Sequence, residues 1–349
     1  MRAAKFILTL QRSSLSCCRN IHQTYSSITN NFRPNAQILD GRKLANQILT
    51  EVKSDTDQWS NLGHRRPHLT AVLIGEDLAS RIYVRNKITA ANFVGISTNT
   101  VKMSESVSEN EVLEVVSKLN LDPNVDGILV QLPLPDHVSE RSICNAVVPH
   151  KDVDGFNTVN VGRLCLDMST FVPCTALAVM ELLKKSGIKT KGKNAVVCGR
   201  SKNVGLPIAL LLHFDGSGEL GGMDSTVTFC HRYTPPKDLM NHTRGADILI
   251  AAAGVPKLIT AHMVKPGACV IDIGMNRIRD PYGKTRLVGD VDFNGVLEVA
   301  GYLTPVPGGV GPVTVAMLMR NTLLAAKQTL KYSVKTHRAN RRKTSILEP

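Results

Sequence analysis

Four short apolar stretches between residues 193 and 274 constrain the fold of this chain most strongly. Each is rich in β-branched or other apolar residues, each closes on a turn residue or a polar residue, and helical patterns separate them. The stretches read KNAVVCG, STVTFCH, ADILIAAAG and ACVIDIG. Continuous apolar strands between helices are typical of a parallel sheet that helices cover on both faces.

The first half of the chain shows a similar but less regular pattern. HLTAVLIGED and VDGILVQLPLP predict strands, and the two segments between them, around YVRNK and SENEVLEVVSKLN, predict helices. The second helix begins at a capping box, since Glu111 follows Ser108 by three residues. Strand, helix, helix, strand favours parallel pairing. The sequence therefore predicts an α/β protein with two α/β domains, the second a Rossmann-like doubly wound parallel sheet.

A Pro/Gly-rich loop, PVPGGVGP, leads into a long helix with an apolar face near the end of the chain. A helix of that length can return to pack on the first domain. We therefore expect a discontinuous first domain, residues 36–155 plus 312–332, and a second domain of residues 156–311.

The net charge of +13 is concentrated at the two ends of the chain. Residues 1–39 hold five Lys or Arg and no acid, and residues 331–349 hold six against one acid, which leaves +3 for the rest. A basic nucleic-acid-binding face is therefore not expected. No apolar run reaches the roughly 18 residues of a transmembrane helix, so no transmembrane segment is expected either.

The two ends also differ from the body in composition. Residues 1–35 are rich in Arg and Ser and free of acids, which predicts a mitochondrial transit peptide rather than a disordered cytosolic arm. Residues 333–349 are interpreted as a basic, disordered tail. The eight cysteines form no CxxC pair, so neither a zinc site nor a disulfide framework is indicated, and a reducing compartment fits.

The segment YVRNK places Tyr83 and Lys87 four residues apart, on one face of a predicted helix. YxxxK is also the pattern of the catalytic Tyr and Lys of short-chain dehydrogenases, which are the alternative enzyme class. In those enzymes the nucleotide motif opens the chain, whereas here Tyr83 precedes the glycine turn at Gly199 by 116 residues. The order of the motifs therefore argues against that class.

The segment GRSKNVGLP stands where a Rossmann-type sheet turns from its first strand into its first helix. Gly199 permits a sharp turn, and Gly205 permits a phosphate to approach the amides of the helix start. The pattern is not GxGxxG, so its spacing alone is a modest signal. Arg200 and Arg232, the latter after the second strand, favour a 2'-phosphate and hence NADP.

Eight motifs in order resemble the methylenetetrahydrofolate dehydrogenase/cyclohydrolase family. They are YVRNK, VQLPLP, KDVDGF, GRSKNVGLP, HRYTP, DIGMN, GDVDF and TPVPGGVGPVTVAML. The resemblance runs from about Ala36 to Leu330 and points to the mitochondrial bifunctional branch. One departure is PCTALAV, where the family commonly has PCTP followed closely by Gly and this chain has Ala176 and Ala178.

The resemblance implies two reactions in the mitochondrial matrix. 5,10-Methylenetetrahydrofolate is oxidised with NAD or NADP, and the methenyl product is hydrolysed to 10-formyltetrahydrofolate. It also implies a homodimer, a small-molecule folate substrate that can be polyglutamated, and a folate cleft between the domains. A non-catalytic folate-binding module is the remaining alternative, and Lys87 argues against it because binding alone does not need a proton-transfer group.

The resemblance further implies the roles of individual residues. For the substrate they are Tyr83, Val84, Arg85, Asn86, Lys87, Val130, Gln131, Leu132, Asp154, Pro307, Gly308, Gly309, Val310 and Gly311. For the coenzyme they are Gly199, Arg200, Ser201, Gly205, Arg232, Gly254 and Thr314. Asp167 and Asp224 are expected around a magnesium ion, with inorganic phosphate held by Arg200 and Arg232 where NADP would carry its own phosphate.

The chemistry of the two steps divides the catalytic work. Hydride leaves a carbon between two nitrogens whose lone pairs stabilise the remaining cation, so this step needs alignment and no general base. Hydrolysis must relocate protons, and Lys87, partnered by Gln131, is the candidate acid/base. Tyr83 is expected to contact the folate and help place Lys87. Asp154 is expected to accept hydrogen bonds from the donor edge of the pterin.

Overall fold

The computed structural model of the protein describes residues 36–279, 285–330 and 332. The expected transit peptide, and the tail from residue 333 onward, lie outside these residues. The described chain divides into two compact units, which are named here by their main sheets. The three-stranded unit comprises residues 49–174 with 318–330 and 332, and the six-stranded unit comprises residues 36–48 with 175–317. Within the described residues, no helix has the length and apolarity to cross a membrane.

The secondary-structure elements are numbered in chain order. The strands are β1 Gln37–Ile38, β2 His68–Ile74, β3 Ser97–Met103, β4 Gly127–Val130, β5 Asn194–Cys198, β6 Thr226–Cys230, β7 Ile248–Ala251, β8 Cys269–Asp272, β9 Asn276–Arg279, β10 Thr285–Val288 and β11 Tyr302–Leu303. The α-helices are α1 Gly41–Asn61, α2 Leu78–Val94, α3 Glu109–Leu121, α4 Glu140–Ala146, α5 Thr158–Cys165, α6 Cys174–Lys185, α7 Gly205–His213, α8 Pro236–Arg244, α9 Phe293–Leu297 and α10 Val310–Ala326.

The three-stranded unit is built on a parallel sheet in the order β3-β2-β4. The central strand β2 is buried at every position except its first, which is why its sequence is nearly continuous in apolar residues. One core cluster joins Val72 of β2 and Ile128 of β4 to Val112 and Val116 of α3. The apolar face of α3 thus packs on the sheet and buries the side chains that define its period.

Local signals fix the ends of the helices in this unit. Helix α2 begins where the Asp77 carboxylate accepts a 2.7 Å hydrogen bond from the amide of Ser80, and it ends at Gly95 with a φ of 81°. Helix α3 begins at the predicted capping box, in which Ser108 and Glu111 bond each other's backbone amides. These caps satisfy amides that have no partner inside the helix.

The six-stranded unit is built on an all-parallel sheet in the order β1-β11-β8-β7-β5-β6. The four strands expected from the sequence are β5, β6, β7 and β8, and each ends close to its predicted position. The two-residue strands β11 and β1 complete the sheet beside β8. Strand β5 lies between β7 and β6, so the strand order reverses at β5. The turn after β5 lies at the carboxyl edge of the sheet at this reversal, which is where ligands bind in doubly wound folds.

The order of strands and helices predicted for the first half of the chain lacks one strand, β3. Between the two predicted helices, β3 pairs with β2 along seven residues from Ser97 to Met103. Its sequence, STNTVKM, is mostly polar and only partly buried, as suits a sheet edge, so it lacks the apolar run of its neighbours. The antiparallel hairpin of β9 and β10 in the other unit was likewise not expected.

Candidate active site

Lys87 and Gln131 form a hydrogen-bonded pair at the carboxyl end of β4. Lys87 is half-buried on α2, and Gln131 directly follows β4 with 9% of its surface exposed. Lys87 Nζ donates a 3.0 Å hydrogen bond to Gln131 Oε1. Gln131 Nε2 donates to the Leu132 carbonyl at 2.7 Å, and its backbone amide donates to the Val72 carbonyl at 2.9 Å. The glutamine is therefore held at both ends, and its oxygen fixes the position of the ammonium.

Asp154 is an acid close enough to Lys87 for the charge of Lys87 to affect its pKa. Burial raises the pKa of Asp154, while the charge of Lys87 and a hydrogen bond with the Cys174 thiol oppose the rise. Asn321 supports the backbone here, since its Nδ2 donates to the Val153 carbonyl at 2.9 Å. A carboxylate, an ammonium and a fixed amide thus lie within one unit, which is the equipment for binding a polar substrate and moving a proton.

The other expected substrate residues of this unit have different surroundings. Tyr83 is half-buried on α2, one helical turn before Lys87. Val84 and Val130 are buried in the core, whereas Arg85 and Asn86 are exposed and Leu132 is half-buried before a cis bond to Pro133. Core burial makes Val84 and Val130 supports of the site rather than surfaces that a substrate meets first.

Asp152, two residues before Asp154, has a structural role. Its Oδ2 accepts hydrogen bonds of 2.7 Å from the Asn157 amide and from Asn160 Nδ2. Burial raises the pKa of Asp152 to about 6, although these donors oppose the rise. Of the two acids in KDVDGF, Asp152 therefore stabilises the local turn, which leaves Asp154 as the one available to a ligand.

We expect Asp152 to make stability depend on pH. Its folded pKa of about 6 lies above the ordinary value of 3.8, so the stability it contributes is present below pH 3.8 and is lost as the pH rises through 6. Relative to Asp152→Asn, the wild-type free energy of unfolding should fall by about 3 kcal/mol over this window. Urea unfolding followed by the fluorescence of Trp59, the single tryptophan, measures it. The exposed Asp136→Asn should show no such slope, and a pH-independent difference for Asp152→Asn would contradict the expectation.

The predicted coenzyme turn lies at the carboxyl end of β5. Gly199 has a φ of 132°, and a Cβ there would collide with the carbonyl of Ala252. A Cβ on Gly205 would in turn collide with the carbonyl of Gly199. Ser201 Oγ accepts hydrogen bonds from the amides of Val204 and Gly205 at 3.2 and 3.3 Å, which holds the start of α7. Only glycine fits the two positions, and the helix start they expose suits a phosphate.

Arg200 and Arg232 are exposed residues of the same edge. The Arg200 guanidinium stands 5.8 Å from the ring centre of Tyr233, a cation–π contact that holds its side chain in place. Tyr233 is not among the residues expected from the sequence, and the only signal for it is its position directly after Arg232. The structure thus adds an aromatic partner to the predicted anion site.

Two buried carboxylates that were not expected from the sequence shape the edge further. Asp290 accepts hydrogen bonds from the amides of Ala253 and Gly254 at 2.6 and 2.9 Å, and from Asn276 Nδ2 at 2.8 Å. Asp272 accepts from the Asp290 amide at 3.0 Å. Burial raises the pKa of Asp272 to about 6. Asp290 therefore positions Gly254, an expected coenzyme residue. In the sequence, the signal for Asp272 and Asp290 is that each is an acid at the end of an apolar segment.

Pro307, Gly308 and Gly309 lie in a loop of the six-stranded unit, and Val310 and Gly311 are the first two residues of α10. Gly309 and Val310 are buried and Pro307 is exposed. A Cβ on Gly41 would collide with the carbonyl of Gly309, so the loop packs closely on the start of α1. Thr314 Oγ1 donates to the Val310 carbonyl at 3.1 Å, which occupies the hydroxyl proton within the helix.

The expected magnesium residues share an unusual backbone conformation. Asp167 and Asp224 have φ values of 52° and 53°, in the left-handed region, and both are half-buried. Asp224 Oδ1 accepts from the Gly216 amide at 3.1 Å, and Lys191 Nζ lies 3.6 Å from its Oδ2. In the part of the chain that the structure describes, no group of three or more His, Cys, Asp and Glu side chains is arranged to hold a metal. Each of the two residues carries a carboxylate, an oxygen ligand of the type that Mg²⁺ prefers.

Comparison with known families gives two matches that together cover most of the chain. Residues 39–154 match the catalytic domain of tetrahydrofolate dehydrogenase/cyclohydrolase. Residues 173–330 match the NAD(P)-binding domain of the same family. The first match contains Lys87, Gln131 and Asp154, and the second contains the turn at Gly199.

Individual proteins agree with the family matches. The mitochondrial bifunctional methylenetetrahydrofolate dehydrogenase/cyclohydrolase of Gallus gallus is 59% identical over 300 residues, covering 86% of this chain and 89% of that protein. The Drosophila melanogaster enzyme of the same name is 56% identical over 294 residues, covering 84% and 95%. The solved 5,10-methylenetetrahydrofolate dehydrogenase of Bombyx mori has a TM-score of 0.80 at 54% identity and covers 84% of this chain and 99% of that one.

A solved structure with a coenzyme is also similar. The N5,N10-methylenetetrahydrofolate dehydrogenase-cyclohydrolase of Trypanosoma brucei, in complex with NADP and an inhibitor, has a TM-score of 0.79 at 40% identity and covers 85% of this chain and 99% of that one. With both domains matched and identities this high, the chain belongs to the family of bifunctional tetrahydrofolate dehydrogenase/cyclohydrolase enzymes.

Proposed function

We propose that this protein oxidises 5,10-methylenetetrahydrofolate to the methenyl form with NAD or NADP and hydrolyses that product to 10-formyltetrahydrofolate. The observation that carries the proposal is the Lys87 ammonium, held by Gln131 at 3.0 Å and close enough to Asp154 for its charge to act on that carboxylate. An acid/base group is what the hydrolytic step requires and the oxidative step does not.

The oxidation relies on alignment. NAD(P), when bound, accepts the hydride. The residues of this chain position the coenzyme. Gly199 and Gly205 allow it to approach the start of α7 closely, Ser201 holds that helix start, and Asp290 fixes the amide of Gly254. These contacts fix the backbone around the proposed coenzyme position, and a fixed position is what alignment for hydride transfer requires.

The hydrolysis relies on Lys87. Water attacks the carbon between the two folate nitrogens. Lys87, as the amine, accepts a proton from that water, and the resulting ammonium donates it to the departing nitrogen as the ring opens. Gln131 keeps the ammonium in position through its Oε1. Asp154 accepts hydrogen bonds from the pterin. Burial raises the pKa of Asp154, and the nearby charge of Lys87 opposes that rise. Tyr83, on the same helix face as Lys87, contacts the folate ring and limits where Lys87 can move.

Steady-state assays of the full chain test the proposal. Addition of methylenetetrahydrofolate and NAD should produce reduced coenzyme, measured by its absorbance. Methenyltetrahydrofolate added without coenzyme should lose its own absorbance faster than in buffer. Absence of both activities in folded protein would overturn the proposal. Reduction of NAD by a hydroxyl substrate alone, or oxidation of NADH by a carbonyl substrate alone, would favour a short-chain dehydrogenase.

We further propose that inorganic phosphate at Arg200 and Arg232, with Mg²⁺ at Asp167 and Asp224, lets NAD take the place of NADP. The exposed guanidinium groups at the carboxyl edge of the six-stranded sheet support the phosphate part. Asp167 and Asp224, both in the left-handed backbone region, each offer a carboxylate oxygen of the kind that Mg²⁺ prefers.

We expect Arg232→Ala and Asp224→Ala to raise, by about tenfold, the phosphate and magnesium concentrations that give half-maximal NAD-dependent activity, since one charge-assisted contact is lost. Titrations of both ions at fixed NAD measure this. Lys237→Ala, an exposed basic residue of the following helix, is the matched control. An unchanged profile in the two variants would remove the phosphate model.

The mitochondrial relatives support a mitochondrial location, and we propose the matrix as the compartment. We also propose a homodimer as the assembled form and tetrahydrofolate polyglutamates among the substrates. Fractionation of mitochondria that carry the tagged full chain tests the first proposal, and sedimentation equilibrium of the purified chain tests the second. Comparison of mono- and polyglutamate KM values tests the third.

A further inference from the structure

Two cysteines lie side by side on neighbouring parallel strands at the carboxyl edge of the six-stranded sheet. Cys198 is the last residue of β5 and Cys230 the last residue of β6, and the two are direct partners in the strand register. Both are free and buried, with 2% and 1% of their surface exposed. Among the described cysteines no other two are register partners; Cys269, for example, is paired with Ile248 and Tyr302.

The strand register places the two thiols side by side on one face of the sheet. The neighbouring Cys198 thiol lowers the pKa of Cys230. Neighbouring strands lie about 4.7–4.9 Å apart, within the Cα separation of about 4.4–6.8 Å that disulfides show. A bond between the sulfurs therefore requires a shift of the two strand ends and no rearrangement of the sheet.

The backbone of both cysteines supports the proposed coenzyme turn. The Cys230 carbonyl accepts a 2.8 Å hydrogen bond from the Gly199 amide, and the Cys198 carbonyl accepts one of the same length from the Ala252 amide. Arg200 and Arg232 each lie two residues beyond a cysteine. A movement of the cysteines is thus transmitted directly to the turn at Gly199 and to the segment that leads to Gly254.

We propose that Cys198 and Cys230 form a reversible intramolecular disulfide when the protein meets a peroxide, and that this bond weakens coenzyme binding. The Cys230 thiolate attacks one peroxide oxygen and becomes a sulfenic acid, and the second oxygen leaves as water after taking a proton. The Cys198 sulfur then attacks the sulfenic sulfur, and a second water leaves. Two thiols are oxidised to one disulfide while hydrogen peroxide is reduced to two waters.

The bond must hold the sulfurs at about 2.05 Å with a fixed dihedral angle, so it displaces two strand ends whose carbonyls hold the turn. Because small displacements of a positioned ligand are costly, we expect the KM for NAD to rise by about tenfold. The effect on the coenzyme rests on the proposed function, whereas formation of the bond does not.

The experiment treats the reduced full chain with hydrogen peroxide. Peptide mapping without reductant should find the Cys198–Cys230 bridge, with the loss of two hydrogens. NAD affinity measured by calorimetry should fall, and the KM for NAD should rise with it. Dithiothreitol should restore both. Mapping without the bridge, or a bridge with unchanged coenzyme affinity, would overturn the proposal. An inactive reduced protein would instead count against the proposed function, and mapping and calorimetry would still report on the disulfide.

Variants separate this pair from other thiols. Cys198→Ala and Cys230→Ala should each lose the peroxide effect, measured as the change in NAD affinity relative to the same variant in its reduced state. Cys198→Ser is the second choice if the first variant does not fold. Cys165→Ser removes an exposed thiol and should leave the effect intact. Persistence of the peroxide effect in both alanine variants would assign it to another residue and overturn the proposal.

Discussion

Lys87→Met is expected to abolish hydrolysis of methenyltetrahydrofolate while the oxidation of methylenetetrahydrofolate falls far less. Methionine keeps the length and much of the apolar packing of lysine but cannot donate or accept the proton that ring opening requires. A positioned acid/base typically contributes about 100-fold to 10,000-fold, so the cyclohydrolase rate should fall by that factor. The decay of methenyl absorbance measures hydrolysis, and the formation of reduced coenzyme measures oxidation.

The control for this variant is Lys102→Met, which makes the same chemical change at an exposed lysine of β3 in the same unit. It should leave both rates unchanged. Gln131→Leu should give a smaller hydrolytic loss than Lys87→Met, because the ammonium remains but loses its 3.0 Å partner. Cyclohydrolase activity that survives in Lys87→Met would show that another group transfers the proton.

Gly199→Ala is expected to give the opposite result, with oxidation lost and hydrolysis kept. The added Cβ meets the carbonyl of Ala252, and the φ of 132° is strained for any residue with a side chain. Such strain costs about 1–3 kcal/mol before the collision is counted. If the turn shifts by about 1 Å to relieve it, dehydrogenase activity should fall by about 100-fold or more.

Gly162→Ala is the matched control, because Gly162 lies in α5 with a backbone that any residue adopts and a Cβ there meets nothing within 4 Å. Circular dichroism of both variants reports whether the fold is retained. Gly205→Ala should reproduce the loss, since its Cβ collides with the carbonyl of Gly199. Normal NAD kinetics in a folded Gly199→Ala protein would contradict the assignment of this turn to the coenzyme.

The main features of the fold are predictable wherever burial leaves a local signal. Strands β5, β7 and β8 are mostly buried, so their sequences are continuously apolar and their positions can be read directly. The capping box at Ser108 and Glu111 is equally local. Strand β3 was missed for the converse reason: it lies at an edge, is only partly buried, and owes its existence to seven residues of pairing with β2.

The candidate site follows the same division. The periodicity of the apolar segments is local, so the sequence by itself determined the α/β class. The motifs YVRNK, GRSKNVGLP and KDVDGF are also local, and the family resemblance they carry implied the candidate residues. Only the tertiary structure decided which of them meet. Lys87 and Gln131 are 44 residues apart, Asp290 and Gly254 are 36 apart, and Cys198 and Cys230 pair through strand register. Periodicity reports how one segment is buried, whereas these contacts depend on the order in which parallel strands pair, and no single segment carries that order.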